Sequence, residues 1–195
     1  VNPSFGNDGN SGRDTLHPLR TLSQAGNLCI SGDTIFIRGG HYYNEAFTFA
    51  RYNNDTAGYV WIMPYFNENV ILDGAGYNFP SWQAVLNIDH ARNVIIQNLN
   101  VVNNNNGGAG IRIVSDSLPF FITRNVTVKK CLVNHTYRQG ILVQASNVTV
   151  DSCEIYDAVF HHAYEQDSEW EFAMGTYLWP SNVNCWNNIV FRNNK

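Results

Sequence analysis

The sequence is poor in charge. Only 14% of its 195 residues are Asp, Glu, Lys or Arg, against roughly 25% in an average globular chain. Together with 44% hydrophobic residues, this excludes an intrinsically disordered chain, which needs the opposite balance. The 12 Lys and Arg are outnumbered by 16 Asp and Glu, leaving a formal net charge of −4. No basic run is present to follow a phosphate backbone, so nucleic acid is not an expected partner. Apolar runs fall far short of the ~20 residues a membrane helix needs, so no membrane association is expected. The chain opens on Val1 without a basic and apolar leader, so any signal peptide has been removed or was never included. Its four cysteines form no Cys-x-x-Cys pair, which removes the common zinc and redox signatures.

What is abundant is asparagine, with 27 residues. Much of it falls in a repeat. Asn69-Val-Ile-Leu-Asp73, Asn93-Val-Ile-Ile-Gln97, Asn125-Val-Thr-Val-Lys129 and Asn147-Val-Thr-Val-Asp151 share one pattern, and Asn188-Ile-Val-Phe-Arg192 is a looser copy. Successive copies start 24, 32, 22 and 41 residues apart, a unit of constant kind with insertions of variable length. A second short segment follows several copies: Gly110-Ile-Arg-Ile-Val114, Gly140-Ile-Leu-Val-Gln144 and Gly175-Thr-Tyr-Leu-Trp179.

Alternation within each copy predicts half-buried strands, with Val94, Ile96, Val126, Val128, Val148 and Val150 inward and Ile95, Thr127 and Thr149 outward. Short strands separated by Asn and Gly turns suit coils stacked about 4.8 Å apart better than a Greek-key sandwich of long hairpins. Asn serves such turns because it tolerates the left-handed conformation. The fold class expected is all-β: a right-handed parallel β-helix forming one domain over 1–195. Residues 1–40 supply an N-terminal cap and first strand, and 41–195 supply stacked coils with insertions at 115–124 and 157–174. Leu19, Leu22, Ala25 and Leu28 recur at helical spacing after Pro18, predicting a short capping helix over the open end of the stack. The chain ends at Phe191–Lys195 inside a strand-like pattern, which predicts truncation at the C-terminus and an exposed coil end suited to homo-oligomer contact.

The segments "GNDGNSG…HPLRTLSQA…SGDTIFIRGGHYYNE" and "YVWIMPYFNENVILDGAG" resemble the N-terminal coils of the pectate-lyase-like right-handed β-helix superfamily. The style is closest to its chondroitinase B and alginate lyase branch and to related secreted β-helix proteins. The likeness covers residues 4 to about 76, and beyond that continues as generic "NVTV…GI" coils. It implies a secreted carbohydrate-active protein acting on a polysaccharide, uronate-containing in that branch, by elimination or hydrolysis. That lyase branch typically uses a Lys base with an Arg and a calcium ion, a pattern this sequence does not match residue by residue. The paired-Asp, Gly-His-Gly and Arg-Ile-Lys set of the polygalacturonases is absent. Because fold does not give function, a non-catalytic module for glycan binding or assembly stands as the alternative.

Aligning the Asn positions stacks side chains into columns. One holds Asp73, Gln97, Lys129, Asp151 and Arg192; a second Asn103, His135 and Asp157; a third Arg112, Leu142 and Tyr177. Lys129 falls beside Asp151 and His135 beside Asp157. Each pair reads either as acid–base machinery or as a surface ladder pair worth under about 1 kcal/mol. The insertion from Asp157 to Met174 is the richest segment, with His161, His162, Glu165, Tyr164 and Trp170. Acidic groups among aromatics suit sugar binding, and insertions on a rigid scaffold commonly carry function; a helix covering one flank of the coils accounts for the same residues. Lys129, His135, Asp151, Asp157 and Glu165 are the catalytic candidates. Arg112, Arg138, His161, His162, Tyr164, Trp170 and Tyr177 are the substrate-binding candidates. Carboxylate and amide oxygens favour Ca2+ over zinc as any bound metal, without assigning its ligands. Cys131 and Cys153 share an offset in successive coils, as a reduced inward ladder or as a disulfide.

Overall fold

The computed structural model describes residues 1–43, 46–50, 58–80, 82–115, 123–158, 174–176 and 188–195, with 174–176 as backbone alone. The chain winds through three parallel sheets in turn. Sheet A contains β1 (Thr34–Ile37), β4 (Val60–Pro64), β7 (Arg92–Gln97), β10 (Arg124–Lys129), β13 (Ser146–Asp151) and β16 (Ile189–Arg192). Sheet B contains β2 (Gly40–Tyr43), β5 (Val70–Asp73), β8 (Asn100–Asn104), β11 (Leu132–Thr136) and β14 (Glu154–Ala158). Sheet C contains β3 (Phe47–Ala50), β6 (Leu86–Asp89), β9 (Ile111–Val114), β12 (Ile141–Gln144) and β15 (Met174–Thr176). Every third strand pairs with its counterpart one coil on, as in Val126↔Val94 and Val126↔Val148. This is the right-handed parallel β-helix.

Alternation sets the packing. Val94, Ile96, Val126, Val128, Val148 and Val150 are buried in one continuous core, while Ile95, Thr127 and Thr149 are half-buried outside. The repeated asparagines do the turning. Asn93, Asn125, Asn147 and Asn188 all take left-handed backbone, φ 54–56°. That conformation disfavours most L-residues and costs Asn less. Their amides link coil to coil: Asn125 Nδ2 donates to Asn93 Oδ1 (2.9 Å) and Asn188 Nδ2 to Asn147 Oδ1 (3.0 Å).

Three sequence-based alignments need correction. Asn69–Asp73 is not a rung of the Asn column: β5 pairs with β2 and β8 in sheet B. Its place in sheet A is held by Val60–Pro64, whose Trp61 stands opposite Ile95. The pattern misled because both segments alternate apolar residues, although Asn69, unlike Asn93, Asn125, Asn147 and Asn188, does not take left-handed φ. Leu142 is opposite Gly175, so Tyr177 does not share the Arg112 column and lies outside the described residues. The capping helix α1 runs Leu22–Leu28 with Thr21, not Pro18, at its start; the Thr21 hydroxyl accepts from Gln24 N. Leu19, Leu22 and Ala25 are buried as the spacing predicts, but Leu28 is 42% exposed and Cys29 takes the inward place. Three of the four expected insertion bounds fall inside strands, since Asp157 belongs to β14, Met174 to β15 and Arg124 to β10. The ladder Cys131 and Cys153 are buried free thiols, stacked as Glu154 N donates to Cys131 O across the coils.

Candidate functional site

The expected site residues fall on different faces. Lys129 and Asp151 lie on the outer side of sheet A, His135 and Asp157 where sheet B turns into sheet C, Arg138 in that turn, and Arg112 on sheet C. Glu165, His161, His162, Tyr164 and Trp170 lie outside the described residues. Lys129 is in register with Asp151, yet its ammonium sits 4.6 Å from the centre of the Trp61 ring. Asp151 instead accepts from Arg192 Nη2 (2.7 Å) and Nε (3.0 Å), from Asn193 Nδ2 and from the Ser152 hydroxyl. Arg192 first, then Asn193 and Ser152, lower its carboxyl to about 2.

The B-to-C corner concentrates what remains. Asn103, His135 and Asp157 occupy one column, each with left-handed backbone at φ 61°, 53° and 51°. The positive φ recurs at the same place in each coil, so the three strands turn there in register. His135 Nδ1 meets Asp157 Oδ2 at 2.5 Å. A carboxylate at Nδ1 favours the tautomer with its proton on that nitrogen, placing the lone pair on Nε2. One coil back, Asn103 Nδ2 and Ala75 N donate to Asp73 Oδ1 at 2.8 and 2.9 Å. His41 Nδ1 lies 3.7 Å from Asp73 Oδ2, whose side chain is 9% exposed. The polar groups thus run from coil to coil along one edge, about 4.8 Å per step.

Next to this column stands an aromatic shelf. Asn104 is fully buried, and its amide holds the corner by donating to Gln83 O (3.0 Å) and Ala109 O (2.9 Å) and accepting from Gly107 N (2.9 Å). Glycine is required at 107 and 108 for contact. A Cβ on Gly107 would lie 2.3 Å from Phe79 Cβ, and one on Gly108 would lie 2.7 Å from the Trp82 carbonyl. The 74–85 loop closes onto these two glycines and delivers Trp82 to the corner, at φ 69° and 42% exposed. A bulky residue in that region is a true outlier, and such strain clusters at functional sites. The Arg138 guanidinium stacks 4.2 Å from the Trp82 ring and 6.0 Å from Tyr137. On sheet C, Arg112 lies between Asn87 and Leu142 of adjacent coils.

The sequence pointed to His135, Asp157, Arg112 and Arg138 but not to Trp82, and it set Asp73 in the Lys129 column, whereas Asp73 belongs to sheet B. The signal for Trp82 was the long Gly-, Pro- and aromatic-containing stretch between β5 and β6. Among the described residues no group of three or more His, Cys, Asp or Glu is placed to hold a metal ion.

No protein-family model and no curated protein matches the chain. Its structure is similar to the crystal structure of pectate lyase Pel9A, with a TM-score of 0.56 and 18% identity over 81% of this chain. The match spans 39% of that lyase, so the chain corresponds to about two fifths of its length. At that identity the likeness establishes the parallel β-helix fold and leaves the chemistry to the site.

Proposed function

We propose that this is a carbohydrate-active β-helix protein of polysaccharide lyase or glycoside hydrolase type, acting at the B-to-C corner on a uronate-containing polysaccharide. The observation that carries this reading is the His135–Asp157 pair beside Arg138 on Trp82. Trp82 offers a ring face to the apolar side of a pyranose, and Arg138 a planar fork matched to a carboxylate. Arg112 adds a second cation on the adjoining sheet. In an elimination, His135 Nε2 takes the proton from the carbon next to the carboxylate. The electron pair left behind forms a carbon–carbon double bond, the glycosidic C–O bond breaks, and the departing oxygen takes up a proton. Arg138 stabilises the negative charge that gathers on the carboxylate, and Asp157 stabilises the imidazolium. No step is routed through a metal. Such substrates are extracellular, and secretion follows from this reading. Among the described residues no helix is long and apolar enough to cross a membrane.

The test is absorbance of the unsaturated product on a panel of uronate polysaccharides, alongside reducing-end release from neutral glycans. Elimination activity that falls by roughly 10²–10⁴ in His135→Ala and is weakened in Arg138→Ala supports the corner. Activity that survives both variants refutes it. Retention of glycan without turnover identifies the non-catalytic module.

A further inference from the structure

The outer face of sheet A carries chemistry that the corner does not use. Its strands contain four basic residues, Arg92, Arg124, Lys129 and Arg192, and one acidic residue, Asp151. That is a basic face on a chain whose formal net charge is −4. Arg192 occupies Asp151, so the single carboxylate of these strands is already neutralised. Arg92 and Arg124 stand in register on adjacent coils. Lys129, two coils from Trp61, lies over its ring at 4.6 Å, and no carboxylate of the described residues forms an ion pair with it. Trp61 is half-buried between Val60 and Ile62, which point into the core. Its column runs Thr34, Trp61, Ile95, Thr127, Thr149, Val190. The column repeats about every 4.8 Å. It bears an aromatic ring and threonine hydroxyls in line along the helix axis, with Lys129 in the neighbouring column opposite Gln97 and Asp151.

We infer that this face is a second, non-catalytic binding surface for an acidic polysaccharide, with Lys129 pairing to a sugar carboxylate and Trp61 stacking on a sugar ring. The choice of a glycan rests on the function proposed above; the surface and its charge do not. A polyanion with sugar faces suits both the aromatic ring and the unmatched cation. A nucleic acid satisfies the charge, but among the described residues these strands offer it two outward rings, the half-covered Trp61 and Phe36, in place of a row of stacking rings. Retention needs no movement of the backbone: the Lys129 side chain leaves the indole, and the ring it uncovers takes the sugar.

The experiment is native affinity electrophoresis of the full chain through gels containing polygalacturonate, neutral galactan or a single-stranded DNA oligomer. Melting curves check that each variant is folded. Lys129→Glu is expected to lower affinity for polygalacturonate roughly tenfold, through loss and reversal of one charge. Raised salt is expected to weaken the wild type. Trp61→Ala is expected to weaken binding as well, and Lys129→Met, which keeps the aliphatic stem over Trp61, separates charge from fold. The inference is overturned if folded Lys129→Glu and Lys129→Met bind as the wild type does, if DNA is retained as well as polygalacturonate, or if no polyanion is retained. Arg138→Ala and His135→Ala keep the two proposals apart. Turnover unaffected by them with retention lost in Lys129→Glu sinks the corner and leaves this face standing. Turnover lost in them with retention unaffected by Lys129→Glu does the reverse.

Discussion

Substituting Gly107 by Ala tests whether the corner is assembled by backbone contact. The added Cβ would sit 2.3 Å from Phe79 Cβ and 2.9 Å from both Gln83 O and Asn104 Oδ1. Phe79 Cβ is fixed to a buried backbone, with Phe79 only 4% exposed, so no rotamer relieves the overlap and the 74–85 loop must lift by about 1 Å to regain van der Waals separation. Overpacking of this kind costs about 1–3 kcal/mol. Lifting the loop also strains two bonds to Gln83 O, from Gly108 N (2.9 Å) and Asn104 Nδ2 (3.0 Å), each worth about 1 kcal/mol net. The expected loss is about 3 kcal/mol, lowering the melting midpoint by about 6–12 °C for a domain of this size. Glycan affinity should fall with it, since Trp82 moves from beneath Arg138. Calorimetry and affinity electrophoresis measure the two effects. Gly9→Ala, whose Cβ would meet only the Asn7 side chain at 3.2 Å, is the control and should melt like the wild type. A Gly107→Ala protein with unchanged midpoint and unchanged affinity would refute the claim that these glycines place Trp82.

Two further outcomes follow from groups away from the corner. Asp151 has a folded pKa of about 2 against an ordinary 3.8, set first by Arg192. Because the unfolded carboxyl protonates first, its contribution is complete above about pH 5 and is lost as pH falls from there through about 2. NMR titration should place its midpoint near 2 in the wild type and higher in Arg192→Ala; equal midpoints would remove Arg192 as the cause. Cys131 and Cys153, at 2% and 1% exposure, should resist a thiol reagent until the protein unfolds. The hydrogen bond with Cys153 and burial push the Cys131 thiol up, which suppresses the reactive thiolate further. Rapid labelling of the native protein at either residue would contradict the packing.

The fold was legible because the determinant is local and repeated. An Asn in left-handed backbone followed by alternating valines marks each rung from Asn93 to Asn188, and the resulting register brings His135 to Asp157 without any loop geometry. The second coil was misread because its sheet A strand, Val60–Pro64, lacks the Asn and looks less like the repeat than Asn69–Asp73 does. Side-chain direction was not legible either. Register places Lys129 opposite Asp151, but Arg192 donates to Asp151 Oδ2 through both Nε and Nη2, and the long Lys stem reaches Trp61. Trp82 and Arg138 are distant in sequence and meet only because a loop folds onto Gly107 and Gly108, a contact no periodicity encodes.

The A-to-B turns from the third coil onward are pairs, Asn98-Leu99, Lys130-Cys131 and Ser152-Cys153, opened by a residue with φ 53–56°. The second coil lengthens this turn to residues 65–69; beyond it the bend keeps its length. The chain therefore lengthens at its two other edges, and both of those flank sheet C. New side chains accumulate around a single face while the stack keeps its spacing, so this scaffold can change what it recognises without relearning how to fold.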